Sequence, residues 1–271
     1  MSVKPIIIKL GGAILNAPEA LANLFVALGE LDNQPLVLVH GGGIIVDELL
    51  SGLGKSSEKL DGLRVTPLDQ IPFIVGALAG TSNKLLCAQA KTSGFNAVGL
   101  CLGDGNMTHV EQLDPRLGQV GKCTAKDANL LELLLGSGFM PVISSIGIGE
   151  QGDLYNVNAD DAAIVIASLL QAPLLLLSDV PGVLDHDGKV IAEITPKSAQ
   201  QLIDAKVITD GMLVKVKAAL EASANIGAPV NLASWKQPAH LAQFLRSLGA
   251  SPEHKMALGQ AQGTRIVGNT F

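Results

Sequence analysis

Six runs of Val, Ile and Leu, separated by stretches of helical length, constrain this chain more than any other feature. They lie at 3–10, 36–39, 97–102, 141–145, 174–178 and 230–233. Most are continuous rather than alternating, as expected when both faces of a parallel sheet are covered. Between them the pattern predicts helices at about 43–52, 67–92, 126–137, 159–170, 196–204 and 211–226. That alternation predicts an α/β fold: an open, mainly parallel central sheet in an αβα sandwich, with helices on both faces. Two polar, turn-rich interruptions, 57–66 and 105–125, read as hairpins. Gln171-Ala172-Pro173 is the best internal seam, dividing a lobe at 1–170 from a lobe at 171–271 without a flexible linker.

Composition removes several function classes. With 271 residues and 48% hydrophobic content the chain can bury a sizeable core, which excludes a disordered or fibrous protein. The 25 acidic residues outnumber the 19 Lys and Arg, and there is one Trp and one Tyr. Neither a basic stripe nor an aromatic platform remains, so no nucleic-acid partner is expected. Three cysteines (87, 101, 123) form no CxxC pair and the five histidines show no HxxxH spacing. Neither a disulfide framework nor a protein-built metal site is expected, and the compartment expected is a reducing cytosol. Ile6-Ile7-Ile8 meets Lys9 too soon for a secretory core, and the longest apolar run, 162–170, is shorter than the ~20 residues of a membrane span. A cytoplasmic protein without a membrane partner is expected.

Two glycine motifs are decoys. Gly54-Lys55-Ser56 has the tail of a P-loop, but Leu49 stands where the motif needs its first glycine, so the segment reads as a helix end and loop. Gly147, Gly149 and Gly152 satisfy GxGxxG, yet the polar stretch 153–158 follows instead of a helix, and a turn is expected. Two other clusters are better placed. Lys9-Leu10-Gly11-Gly12 and His40-Gly41-Gly42-Gly43 both close apolar strands, and the helical run from Ile44 follows the second directly. Ligands of open α/β sheets gather at the carboxyl ends of strands, where glycine amides and a helix N-terminus can receive an anion. A lysine at the end of a buried strand is costly unless it meets an anion.

Polar residues cluster at other element ends. Asn156, Asn158 and Asp160 share one face if extended, while Asn158 also suits a helix N-cap with Asp160-Asp161 in the first turn. Lys215 and Lys217 lie in the first two turns of a helix beginning near Thr209, where cations oppose the dipole unless an anion is near. Leu60–Thr66 is hairpin-like and carries one free arginine, Arg64, suited to bidentate capture of a carboxylate. Ser178-Asp179-Val180-Pro181-Gly182-Val183-Leu184 ends a strand in a turn that could line a nucleotide pocket. Together these place lysines, glycine amides and an arginine around strand ends, as phosphoryl transfer to an anionic acceptor requires.

Seven segments, KLGG at 9–12, HGGG with VD at 40–47, DGLRVT at 61–66, GALAGTSNK at 76–84, NVNADDAA at 156–163, SDVPGVL at 178–184 and ITDGMLVKV at 208–216, resemble the amino-acid kinase family. The flap and the NxNAD segment resemble its branch acting on N-acetyl-L-glutamate. Asp61 stands where that branch commonly has Asn, and Gly211 is single where many relatives have two glycines. The resemblance implies ATP-dependent phosphorylation of the side-chain carboxylate of N-acetyl-L-glutamate, a step of arginine biosynthesis. It implies that Lys9, Lys215 and Asp160 are catalytic, with Asp160 pairing both lysines. Gly42, Gly43, Arg64, Asn156 and Asn158 would hold acetylglutamate. Gly11, Gly12, Asp179, Val180, Pro181, Gly182, Val183, Leu184, Val207, Ile208 and Thr209 would hold nucleotide and phosphate, with Mg2+ carried mainly by the ATP phosphates. A kinase for glutamate, acetylaminoadipate or a nucleoside monophosphate, and a non-catalytic regulator on the same fold, are the alternatives. Relatives linked into arginine-inhibited hexamers carry a helix before the first strand; only Met1-Ser2 precede it here, so a homodimer that arginine does not inhibit in that way is expected.

Overall fold

Alternate residues of the strand Ile6–Leu10 face two different cores: Ile6, Ile8 and Leu10 enter one, and Ile7 the other. Leu36 and Leu38 against Val37 and Val39, and Leu175 and Leu177 against Leu174, divide in the same way. This two-sided burial is why the strands carry unbroken aliphatic runs. The computed structural model describes residues 3–31, 34–60, 62–249 and 263–268. Its eight-stranded sheet runs in the order Glu193–Ile194, Thr264–Ile266, Val230–Ser234, Leu174–Ser178, Ile6–Leu10, Leu36–His40, Met140–Ser144, Ala97–Cys101. Every pairing is parallel except that between Val230–Ser234 and Thr264–Ile266. Ile6–Leu10 pairs with Leu36–His40 on one side and Leu174–Ser178 on the other, so one ladder continues across the expected seam.

The expected elements shift only at their ends. The first strand starts at Ile6 rather than Val3, because Pro5 has no N–H for the ladder and Val3 is exposed. Helices at Gly43–Gly52, Ala159–Leu170 and Pro196–Asp204 match their predicted bounds, and that at Asp210–Ile226 begins one residue early. The helix expected at 67–92 begins at Ile71, and its middle, Gly76–Ser82, is π-helical. This 22-residue helix, with mean hydropathy 1.3 in its best window, is long and apolar enough to cross a membrane. The expectation that no segment reaches that length, which rested on 162–170, is thereby corrected. Ile74, Ala77, Leu78, Leu86 and Ala90 are buried in the protein's own cores, and Ile71 is buried as well.

Both expected hairpins form, as Lys59–Leu60 with Leu63–Arg64 and as Thr108–Gln112 with Val120–Ala125. The second joins Leu154–Val157 and Ile146–Ile148 in a four-stranded sheet, and Gly149–Gly152 turns between those two strands rather than opening a helix. Helices at Pro18–Gly29 and Pro238–Gly249 are unassigned from the sequence, although Leu21, Leu24, Phe25 and Leu28 carry helical spacing and are buried. Asp61 and Met1-Ser2 lie outside the described residues.

Candidate active site

Strand alternation puts Lys9 on the face of Ile7, the face covered by the helix Ala159–Leu170. Ala162, Ala163 and Ala167 let that helix approach the sheet closely, and its first turn arrives over Lys9. Lys9 Nζ lies 2.9 Å from Asp160 Oδ1, with the lysine side chain 15% exposed and the aspartate 54%. Asn158 caps this helix: its Oδ1 accepts from the amides of Asp160 at 2.8 Å and Asp161 at 3.3 Å. Burial first, and the neighbouring Asp160 second, raise the Asp161 carboxyl above its ordinary range. The site is thus a largely buried lysine steadied by a carboxylate that stays half open to solvent.

The two glycine turns meet beside this pair. A side chain at Gly12 would come within 3.1 Å of the Gly43 nitrogen, and one at Gly41 within 3.2 Å of the Ala159 methyl. A β-carbon on Gly42 would lie 2.6 Å from Ser82 Oγ and 2.8 Å from a Leu78 methyl, so alanine cannot enter without moving the helix behind it. Among the described residues, the amides of Gly11, Gly12, Gly42 and Gly43 have no backbone acceptor. Gly43 opens the helix Gly43–Gly52, which adds the positive end of its dipole. Four unsatisfied donors and one ammonium converge at the carboxyl ends of adjacent strands, an arrangement suited to phosphate oxygens.

A cavity of about 190 Å³ opens next to these turns, and Gly42, Gly43, Lys59, Arg64, Asn156 and Asn158 line it. Arg64 is not the free arginine expected from the sequence. Its Nη1 donates to Asp47 Oδ1 at 2.5 Å and to the Ser57 hydroxyl, and its Nη2 donates to the Gly43 carbonyl at 3.1 Å. The hairpin is therefore pinned to the helix that follows the second glycine turn, and the guanidinium is aimed before any ligand arrives. Hydrogen bonding from Arg64 is the main reason the Asp47 carboxyl is held below its ordinary pKa. Asn156 Nδ2 donates to Thr66 Oγ1 at 3.1 Å, tying the flap to the four-stranded sheet. Asp47 and Thr66 belong to segments that carry the family resemblance, but neither they nor Ser57 is given a site role by the sequence. Asp47 stands four residues beyond Gly43, one helical turn inside its helix.

The expected nucleotide segments are less tightly wired. Ser178 closes its strand and its Oγ accepts from the Val180 amide at 3.2 Å. Gly182 has φ +152°, where a β-carbon would lie 2.6 Å from Thr264 Oγ1, and the Val183 amide donates to that same oxygen at 2.8 Å. Asp179 meets Lys236 only loosely, at 3.8 Å. Pro181 and Leu184 belong to the same turn, and Leu184 bridges Val190. The side chains of Val183 and Ile208 are buried in the core, and the Val183 carbonyl accepts from the Ile191 amide at 2.8 Å. Val207 and Ile208 donate to the Leu202 carbonyl, and Thr209 begins the helix Asp210–Ile226 without capping it through its side chain. Lys215 and Lys217 are exposed. The expected second ion pair is not formed: among the described residues Asp160 pairs with Lys9 and not with Lys215. Lys215 lies one residue before the buried Val216, which packs into the core that holds the Ala159–Leu170 helix. Among the described residues no group of three His, Cys, Asp or Glu stands close enough to hold a metal.

Comparison with known proteins agrees with this geometry. Residues 4–234 match the model of the amino acid kinase family. The acetylglutamate kinase of Vibrio cholerae is 55% identical over 90% of this chain and 94% of its own length. That of Pectobacterium atrosepticum is 55% identical over 98% of this chain and all of its own. The crystal structure of smu.665 from Streptococcus mutans superposes with a TM-score of 0.73 at 27% identity, covering 97% of this chain and 98% of that one. A sheet with Lys9, two open glycine turns and a pinned arginine at its strand ends, together with a family match across most of its length, places this chain in the amino acid kinase family.

Proposed function

We propose that the protein transfers the γ-phosphoryl group of ATP to the side-chain carboxylate of N-acetyl-L-glutamate, giving N-acetyl-L-glutamyl 5-phosphate for arginine biosynthesis. The observation that carries the reading is the Lys9–Asp160 pair set among four unsatisfied glycine amides, beside a cavity holding Arg64. The named relatives supply the substrate. A carboxylate with a pKa near ~4.3 is already ionised at neutral pH, so the acceptor needs no general base. The difficulty is to bring one anion in line with a polyanion, and the chain's work is positioning and charge stabilisation.

Arg64, held by Asp47, fixes an acceptor carboxylate, with Asn156 and Asn158 at the other side of the cavity. Lys9 neutralises charge developing on the transferred group while Asp160 holds its ammonium in place. Gly11, Gly12, Gly42 and Gly43 donate to phosphate oxygens. Residues 179–184 and 207–209 receive the nucleotide, and Lys215 joins the transferring group from the opposite side once the nucleotide is bound. Magnesium sheds water reluctantly, so it would be held mainly by the ATP phosphates, where it would supply charge shielding. In this reading residues 1–170 form the acceptor lobe and 171–271 the nucleotide lobe, in a cytoplasmic homodimer.

A coupled ADP-release assay comparing N-acetyl-L-glutamate with free glutamate tests the proposal. Turnover with the acetylated substrate and background release with glutamate is the expected result. Preference for glutamate would move the activity to another member of the family.

A further inference from the structure

Three consecutive glycines leave the turn after the strand Leu36–His40 with few steric restraints of its own. The Gly41–Gly42 peptide plane can rotate at little cost, because both flanking residues lack a β-carbon. One side chain holds it. His40 is fully buried, and its Nδ1 lies 2.8 Å from the Gly41 carbonyl oxygen. Its Nε2 lies 3.1 Å from Asn83 Nδ2. A carbonyl only accepts and an amide nitrogen only donates, so one species satisfies both contacts: the neutral ring with its proton on Nδ1.

The orientation of Asn83 is settled by its other neighbours. The same Nδ2 reaches the carbonyls of Val142 at 2.8 Å and Leu100 at 3.3 Å, while Oδ1 accepts from Lys84 Nζ at 3.1 Å. Turning the amide over would set oxygen against two carbonyls. Asn83 directly follows the π-helical stretch Gly76–Ser82, whose widened turns set the register with which it meets the sheet. Burial pushes the His40 pKa down to about 4, so the ring stays neutral across the physiological range.

A trans peptide carries its C=O and the following N–H on opposite sides. With the Gly41 carbonyl turned onto His40, the Gly42 N–H points away from the ring, and it has no acceptor among the described residues. We propose that His40, oriented by Asn83, is a positioning residue that fixes the Gly41–Gly42 peptide plane and thereby aims the Gly42 amide at the transferring phosphoryl group. This rests on the site reading above, in which that amide receives a phosphate oxygen.

Two substitutions separate the two bonds of the ring. His40→Asn puts an amide nitrogen where Nδ1 stood and keeps a donor for Gly41. His40→Gln reaches the Asn83 side, keeps an acceptor there and offers Gly41 nothing. His40→Gln lowers kcat by about 10- to 100-fold, part of what a lost transition-state donor costs, with both KM values within about twofold. His40→Asn recovers kcat to within about threefold of the parent, although it has lost its contact with Asn83. Equal losses in the two variants, or a loss carried by KM, overturn the proposal. Should a variant not fold, nitrogen-15 NMR of the parent decides: the buried ring carries its proton on Nδ1, and an Nε2-protonated ring overturns the assignment. Lys9→Ala in the same assay separates the levels. If Lys9→Ala keeps full turnover, the site reading itself fails; if it is crippled while the two His40 variants behave alike, only the role of His40 fails.

Discussion

The two sides of the cleft that the proposed function gives to acceptor and nucleotide are built differently. Around the cavity, side chains are held in place: Arg64 by Asp47, Ser57 and the Gly43 carbonyl, Asn156 by Thr66, and His40 by Asn83. On the nucleotide side the turn at 179–184 is fixed through Ser178 and Thr264, while Lys215 and Lys217 extend into solvent and Asp179 reaches Lys236 only at 3.8 Å. A pocket that must recognise one small anion benefits from groups aimed in advance, because ordering them on binding would cost affinity. A nucleotide brings several charges of its own and can gather exposed lysines as it binds. On the proposed function, the contrast would give acceptor selection to a prearranged wall and nucleotide capture to a surface completed by its ligand.

The largest effect that tests this contrast falls on the lysines. Lys9→Ala lowers kcat by about two to three orders of magnitude, the loss of about 2.7–4 kcal/mol typical of one transition-state donor. Lys215→Ala costs a similar factor if the nucleotide draws it in, and circular dichroism shows both variants folded. Turnover within about threefold of the parent for Lys215→Ala would confine the chemistry to the prearranged side.

Arg64→Lys comes next. Lysine keeps the charge but cannot serve Asp47, Ser57, Gly43 and a ligand at once. The KM for acetylglutamate rises about 10- to 100-fold, as the loss of about 1.5–3 kcal/mol in charged hydrogen bonding implies, and the KM for ATP does not change. A rise in the ATP KM instead would move Arg64 to the other side of the comparison.

Asp47→Asn tests how firmly the acceptor wall is held. The Asp47 carboxyl is depressed in the folded protein from its ordinary 3.8, with Arg64 the largest cause. A depressed carboxylate contributes stability that is present above its unfolded pKa and lost as pH falls through the folded one. The Tm gap between parent and Asp47→Asn is therefore constant around neutral pH and closes only below about pH 4. Because Asp47 is half exposed, the gap is small throughout. The smallest effect is that of Asn158→Ala, which removes the cap of the helix carrying Asp160. It costs about 1 kcal/mol, or about 2–4 °C in Tm by thermal denaturation.

Local pattern carries some of this architecture and not the rest. The aliphatic runs announced the parallel strands because burial on both faces leaves a mark on every residue, and Asn158 announced a cap because capping is read within three residues. Lys9 was legible because an ammonium at the end of a buried strand needs an explanation. Arg64 was misread as free: its partner Asp47 lies 17 residues earlier, and nothing in either neighbourhood signals the pairing. His40 with Asn83 spans 43 residues and Asn156 with Thr66 spans 90, distances that only tertiary packing closes. The π-helical stretch hid inside an ordinary amphipathic pattern, since one wide turn hardly alters apolar spacing. Lys215 is the reverse case: the resemblance implies that it pairs with Asp160, and among the described residues Asp160 pairs with Lys9.

The central strand has a consequence for how the protein is made. Ile7 pairs with Val37 almost at once in the chain, but its other neighbour, Leu174, is 167 residues away. At about 5–20 residues per second, a ribosome needs roughly 8–33 s to synthesise that span. Throughout that interval one edge of the strand that carries Lys9 has its ladder groups unpaired, in an aliphatic segment of the nascent chain. Bare edges of this kind recruit foreign strands. The emerging first half is thus a natural client for a chaperone, and a chain interrupted before residue 174 is a template for aggregation rather than a half-built enzyme.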